Sequence, residues 1–280
     1  MSEGDAKDSR WSTSHTLNVR YGGAPMRPVG GQSAPVSNPS DALMTRADFA
    51  DIVQHLEQSP NELFLIDYAR YRVARRRFME AKARTTLKFA EQKTDLWGNT
   101  LEHNLKAMED FAGVSRVNRL IRPLYAIDRV YFRAKDLKVL SVGPRTEMEL
   151  LSLLGQGFAR ENIRGLDLFS YSPWIDAGNM HHMAYADNSF DVLIAGWVLA
   201  YSNDPHQACR EFLRVVRDKG IIAIGLTRLP TSRRAEGNYM PNATELLDVF
   251  GSAVRRVYVR HDGESDDEES RTIVIFDVNK

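Results

Sequence analysis

Apolar positions recur at helical spacing through the first half of the chain. Thr45-Arg-Ala-Asp48 has capping-box spacing, and Phe49, Ile52, Val53 and Leu56 follow it on one face. Ser59-Pro60-Asn-Glu62 is a second helix start: a cap residue, proline at the first helical position, then an acid. From there the pattern predicts helix almost unbroken to about Gln92. It then predicts a break at Trp97-Gly98-Asn99, a short helix over 100–112, and helix over 114–134 interrupted by Pro123. Residues 42–135 therefore read as a helical N-terminal region.

From Leu137 onward the period changes. Val139, Leu140 and Val142 read as a short buried parallel strand, ended by Gly143. Met148, Leu151 and Leu154 then recur at helical spacing, and Ile163-Arg-Gly-Leu-Asp167 is a second strand ending in an acid. Val192-Leu-Ile-Ala195 is a further apolar strand. Glu211 to Val216 ends a helix, Lys219-Gly220 turns, and Ile221 to Ile224 is the next strand. Asn242 to Phe250 reads as a short helix stopped by Gly251, and residues 254–260 and 272–278 alternate like strands.

Composition bounds the reading. The chain has 280 residues, 43% of them hydrophobic, enough for one substantial core and an appendage. Net charge is +0, so no global field recruits nucleic acid or a membrane. The one cysteine, Cys209, leaves no internal disulfide and no thiolate cluster for zinc. No apolar run is long enough for a bilayer span, and the N-terminus lacks a signal-peptide core, so a cytoplasmic location is expected. Residues 1–41, rich in Ser, Gly, Pro and Asn, read as a flexible arm that includes Trp11 and Tyr21. Arg70, Arg72, Arg75, Arg76, Arg77, Lys82, Arg84, Lys88 and Lys93 oppose Glu62, Asp67, Glu80 and Glu91, nine minus four, or five net positives. That run reads as a solvated helix face, with a phosphate-bearing or nucleic-acid acceptor as the other reading. His261 to Ser270 holds six acids in ten residues and reads as a solvated hairpin tip, without ligand spacing for a metal.

The chemistry sits in three short motifs. Leu137-Lys-Val-Leu-Ser-Val-Gly143-Pro-Arg-Thr-Glu147 gives strand, glycine turn and helix, a geometry that lays a nucleoside or anionic ligand against a helix N-terminus. Asp167 follows about twenty residues later, where a ribose diol is held. Gly178-Asn-Met-His-His-Met-Ala-Tyr-Ala-Asp-Asn-Ser-Phe-Asp191 runs directly into the strand at Val192, and Glu211-x-x-Arg214-Val215 precedes Gly220.

This order of pieces resembles the class I S-adenosylmethionine-dependent methyltransferase family, over roughly residues 137–225 and with a divergent first motif. The resemblance implies an α/β fold: a Rossmann-like, doubly wound, mostly parallel seven-stranded sheet with an antiparallel C-terminal strand, here over residues 136–280 and preceded by the helical region. The family's first motif reads Asp-x-Gly-x-Gly-x-Gly, and here Ser141, Arg145 and Glu147 replace the acid and the last two glycines. Asn179 stands where an acid commonly reaches the adenine amino group. The connection from Asp167 to Asn179 is too short for a full helix.

The resemblance also implies S-adenosyl-L-methionine as the donor. Gly143, Pro144, Arg145 and Glu147 would face its amino-acid end, Asp167 and Leu168 its ribose, and Asn179, Met180 and Trp197 its adenine side. Chemistry adds Arg145 as a partner for the donor carboxylate, with Glu147 near the amino group or tethering the arginine. No catalytic residue is assigned. Tyr201, His181 and His182 are the candidates, and positioning of an acceptor at Gly196 to Asp204 is the expected mechanism. A small-molecule or glycan acceptor is expected, with no metal and no nucleic acid, and a homodimer would form through the helical region. The eroded first motif motivates the alternative of a catalytically inactive, binding or regulatory relative.

Overall fold

The computed structural model describes residues 44–90, 118–228, 242–263 and 270–280, and the backbone of Arg20–Tyr21 and Ala24–Pro25. The expected break at Trp97 to Asn99, the helix over 100–112 and most of both the N-terminal arm and the acidic hairpin lie outside the described residues. The chain forms two compact units, 1–52 and 53–280. In the first, Arg20–Tyr21 pairs antiparallel with Ala24–Pro25. The predicted capping box is present there: Asp48 N–H donates to Thr45 Oγ1 at 3.2 Å, and Thr45 N–H to Asp48 Oδ2 at 2.7 Å. It opens α1 (Arg46–Gln58), whose apolar residues Phe49, Ile52 and Val53 are exposed.

The second unit carries α2 (Asp67–Ala83), α3 (Asn118–Tyr125) and α4 (Asp128–Tyr131), then β1 (Val139–Val142), α5 (Glu147–Gly155) and β2 (Ile163–Asp167). The chain continues with β3 (Ile175–Ala177), β4 (Phe190–Gly196), α6 (Pro205–Val215) and β5 (Val216–Arg228). It ends with α7 (Ala243–Phe250), β6 (Val254–His261) and β7 (Ser270–Val278). One seven-stranded sheet has the order β3-β2-β1-β4-β5-β7-β6. All neighbours run parallel except at β7, which is antiparallel to both β5 and β6. This is the expected mostly parallel, Rossmann-like sheet.

The strands are short apolar runs because both faces are covered. Val192 and Ile194 of β4 pack into a cluster with α2, α3 and α5, while Leu193 and Ala195 pack on the other face with α6 and α7. Cys209 is buried in that second layer, and burial pushes its thiol up to about 12. No helix among the described residues is long and apolar enough to cross a membrane.

Two expectations are corrected. The helix expected to reach Gln92 is broken: Pro60–Leu65 is a 3-10 turn, Ile66 is extended, and α2 stops at Ala83. Thr85 takes a left-handed φ of +55°, Thr86 N–H returns to Ala81 O, and Lys88–Phe89 then pairs as a strand with Phe169–Ser170. The left-handed Thr85 is costly for a β-branched residue and is held by the returning Thr86 N–H and by the strand pairing that follows. Strand β5 also starts earlier than Ile221. Val216 opposes Phe190 and Ile221 opposes Val192, so Arg217 to Gly220 bulge out between them, with Lys219 at φ +58°.

Candidate active site

Sheet growth reverses between β1 and β4, and open α/β sheets bind ligands at the carboxyl ends of the strands at such a switch point. Gly143 leaves β1 there with φ +67°. A Cβ on it would lie 2.5 Å from Val198 Cγ2, just beyond β4, so backbone conformation and close approach both demand glycine. Pro144 packs over Gly165 of β2, where an added Cβ would come within 3.0 Å of Pro144 Cγ. Arg145 then takes φ +58°. The turn thus keeps a left-handed residue at the position of the family's second glycine although the side chain is an arginine.

Asp167 is buried at the end of β2. Its Oδ2 accepts the Arg145 N–H at 2.9 Å. Burial raises its pKa above the ordinary carboxylate value, while the N–H groups of Arg145, Leu168 and Phe169 and the Arg145 charge pull it back in part. Leu168, half-buried, gives its carbonyl to Ala90 N–H at 2.8 Å.

Glu147 is 1% exposed and is held from α2. Arg77 donates from Nη2 to Oε1 at 2.9 Å and from Nε to Oε2 at 2.5 Å, and the Ser172 hydroxyl donates to Oε1. The first-turn amides of α5 also have partners: Glu147 N–H donates to Tyr171 Oη at 2.8 Å and Met148 N–H to Thr146 Oγ1 at 3.2 Å. Burial, and the Glu147 charge after it, push the Tyr171 phenol pKa up, so it stays neutral. Ser141, where the family has its first acid, donates to Glu149 Oε2 at 3.0 Å. Glu149 therefore brings a buried carboxylate to this position from α5, which sequence reading missed. Its signal was a second acid two residues after Glu147, inside an apolar helix.

The loop after β3 holds a polar chain. Asn179 Oδ1 accepts the His181 N–H at 2.9 Å and lies 2.7 Å from His181 Nδ1. His181 Nε2 lies 2.6 Å from Ser202 Oγ. An amide oxygen only accepts, so Nδ1 carries the ring hydrogen and Nε2 accepts from the serine hydroxyl. Burial lowers the His181 pKa; Asp204 raises it and His182 lowers it further. His182 is exposed, Met180 is half-buried, and Tyr201 is 39% exposed. Trp197 has φ +60° and its buried ring lies against Gly225 of β5, where an added Cβ would be 3.2 Å from ring atoms. Asp204 caps α6 by accepting the Gln207 N–H at 2.9 Å.

The Glu-x-x-Arg pair clamps this loop onto α6. Glu211 Oε2 accepts the Met183 N–H at 2.7 Å. Arg214 donates to Met183 O at 2.9 Å, Tyr185 O at 2.8 Å and Asp187 Oδ1 at 2.7 Å. Of the residues singled out in the sequence, Gly143, Arg145 and Asp167 meet in one turn, and Asn179 and His181 meet Ser202. Glu147 is drawn to Arg77.

Residues 154–224 match a protein family described as "Methyltransferase domain". No curated protein matches the chain. Among solved structures, a chain of the Haloferax volcanii complex between a methyltransferase and its Trm112 activator is 15% identical, with 66% of this chain and 97% of that chain covered and a TM-score of 0.47. The Burkholderia thailandensis 1,6-didemethyltoxoflavin-N1-methyltransferase is 13% identical, with 69% and 95% covered and a TM-score of 0.47. The N-methyltransferase NodS of Bradyrhizobium japonicum WM9 is 16% identical, with 58% and 87% covered and a TM-score of 0.42. The matched segment runs from the end of α5 into β5 and includes the loops after β2, β3 and β4. This part of the chain is thus similar to a methyltransferase domain, and it lies within the Rossmann-like sheet.

Proposed function

We propose that the chain is a working methyltransferase that passes a methyl group from S-adenosylmethionine to a small-molecule or glycan acceptor. The observation that carries this reading is the turn that joins Gly143, Arg145 and Asp167 at the switch point. A Cβ would fill the cradle at Gly143, and a buried carboxylate stands beside it where a ribose diol is held. The donor's sulfonium supplies an already activated methyl group. The protein's part is to hold the two reactants in line.

In this reading Asp167 accepts the ribose hydroxyls, with Leu168 beside it. The backbone of Gly143 and Pro144 lies along the amino-acid end, and the half-buried Arg145 guanidinium takes the carboxylate. The first two amides of α5 are engaged by Tyr171 and Thr146, which favours a side chain as the partner of that carboxylate. Glu147 acts by fixing the turn through Arg77. Met180 and the Asn179 amide border the adenine, with the Asn179 oxygen already shared with His181.

The left-handed Arg145 bears on the alternative of an inactive relative. At φ +58° it preserves the backbone course of the glycine it replaces, which supports a turn still shaped for a ligand. The basic face of α2 is partly accounted for by Arg77 to Glu147, Arg70 to Asp67 and Arg76 to Glu80, which favours a structural role over nucleic-acid binding. The test is calorimetric titration of the donor and S-adenosylhomocysteine, followed by an acceptor screen with methyl-labelled donor. Transfer of label to a small hydroxyl or amino compound is expected. Binding without transfer to any acceptor class would favour the inactive relative.

A further inference from the structure

The polar chain from Asn179 through His181 to Ser202 has the layout of a nucleophile, a base and a group that orients the base. Both links are short, 2.7 Å and 2.6 Å, and the imidazole between them is 8% exposed. Ser202 is the half-exposed end. It follows the turn Leu199–Tyr201 that leaves β4 at the switch point. Asp204 N–H also donates to Ser202 Oγ, at 3.1 Å, so that oxygen keeps a hydrogen-bond donor when its own proton leaves. Gln207 Nε2 fixes the His181 carbonyl at 3.0 Å. The charged and titratable groups facing the ring are Asp204, which favours its protonated form, and His182, which opposes it.

We propose that Ser202 and His181 are the proton-abstracting pair of this site, with Asn179 as the positioning residue that sets the imidazole tautomer. The inference rests on the methyltransferase reading and names its acceptor class: a hydroxyl or amine that must lose a proton as it is methylated. The acceptor's oxygen or nitrogen bonds to the methyl carbon, and the donor's sulfur keeps the electron pair of the broken C–S bond. The acceptor proton passes to Ser202 Oγ as the serine's own proton passes to His181 Nε2. A glutamine at 181 could satisfy the same hydrogen bonds, but it could not take the proton.

The probe is diisopropyl fluorophosphate, incubated with the full-length protein without donor. Ser202 Oγ attacks phosphorus, the O–P bond forms, fluoride leaves and the proton goes to His181. The expected result is one adduct, mapped to Ser202 by peptide mass spectrometry. Its rate should rise with pH as His181 becomes neutral and be level at pH 7, since burial holds that titration below the ordinary histidine value. His181→Gln should slow labelling on the order of 100-fold, the scale of general-base assistance. Asn179→Ala should slow it less, and Ser202→Ala should abolish the adduct. No adduct in folded wild-type protein, an adduct on Tyr201 instead, or labelling unchanged by His181→Gln would each overturn the pair. The donor takes no part, so a protein that binds S-adenosylhomocysteine yet resists labelling loses the pair alone, and one that labels without binding keeps the reactive pair but loses the methyltransferase reading and, with it, the acceptor class.

Discussion

Arg77 of α2 grips both carboxylate oxygens of Glu147 at the first turn of α5, seventy residues away in sequence. The pair ties the helical layer to the turn that carries Gly143 and Arg145. Glu147 is almost fully buried, whereas the Arg77 side chain is 37% exposed. Removing the arginine strands a buried carboxylate, but water reaches the vacated site. Arg77→Ala should therefore destabilise the protein by about 2–3 kcal/mol, below the full loss of a buried pair. Urea unfolding checks this, and Arg77→Met with Glu147→Gln should lose less than Arg77→Ala alone.

Arg145 separates stability from binding. A side chain at φ +58° is strained, and glycine relieves that at the expense of a more disordered unfolded chain. Arg145→Gly should unfold at the same or slightly higher urea concentration, within about 1 kcal/mol. Its affinity for S-adenosylhomocysteine should nevertheless fall at least about tenfold, the loss of one charge-assisted contact. Arg145→Ala should bind as weakly as the glycine variant, and Arg145→Lys should recover part by keeping the charge without the fork.

Asp167 should show the same opposition more strongly. Its folded pKa is raised, mainly by burial, so the native state holds this proton more tightly than the unfolded chain. Its contribution to stability is therefore most favourable below the unfolded value and is lost as pH rises through the folded value. Asp167→Asn removes that penalty and should leave stability at pH 7 at or above wild type by thermal melting. Donor affinity should drop by about 1.5–3 kcal/mol, the range for hydrogen bonds to a charged acceptor.

Gly143 tests the crevice wall. Gly143→Ala adds both a left-handed alanine and a contact at 2.5 Å with Val198 Cγ2, which together should cost about 2–4 kcal/mol. Val198→Ala in the same chain removes the Cγ2 contact but leaves Val198 Cβ at 2.9 Å, together with the backbone strain. The double variant should therefore recover less than half of the loss in a double-mutant cycle by urea unfolding.

The sheet was legible because its signals are local. Val192 to Ala195 is a continuous apolar run and Val139 to Val142 is one broken only by the buried Ser141, as strands covered on both faces tend to be, and Gly143 marks the turn between strand and helix. The place of Asp167 at the end of its strand was legible in the same way. Long-range partners could not be read in the same way. Nothing near Glu147 points to Arg77, and nothing near His181 points to Ser202, because both pairings are made by packing. The helix over-run to Gln92 has a simpler cause. Long basic side chains kept the helical pattern going, while the turn at Thr85 and Thr86 depended on a strand partner at Phe169.

The most direct measurement is calorimetric titration of S-adenosylhomocysteine into the full-length protein, wild type and Asp167→Asn, at pH 7. Saturable binding at one site per chain is expected in the wild type, with at least about tenfold weaker binding in the variant. Equal affinity in the two proteins, or no binding in wild type that unfolds cooperatively, would contradict the donor site at Asp167.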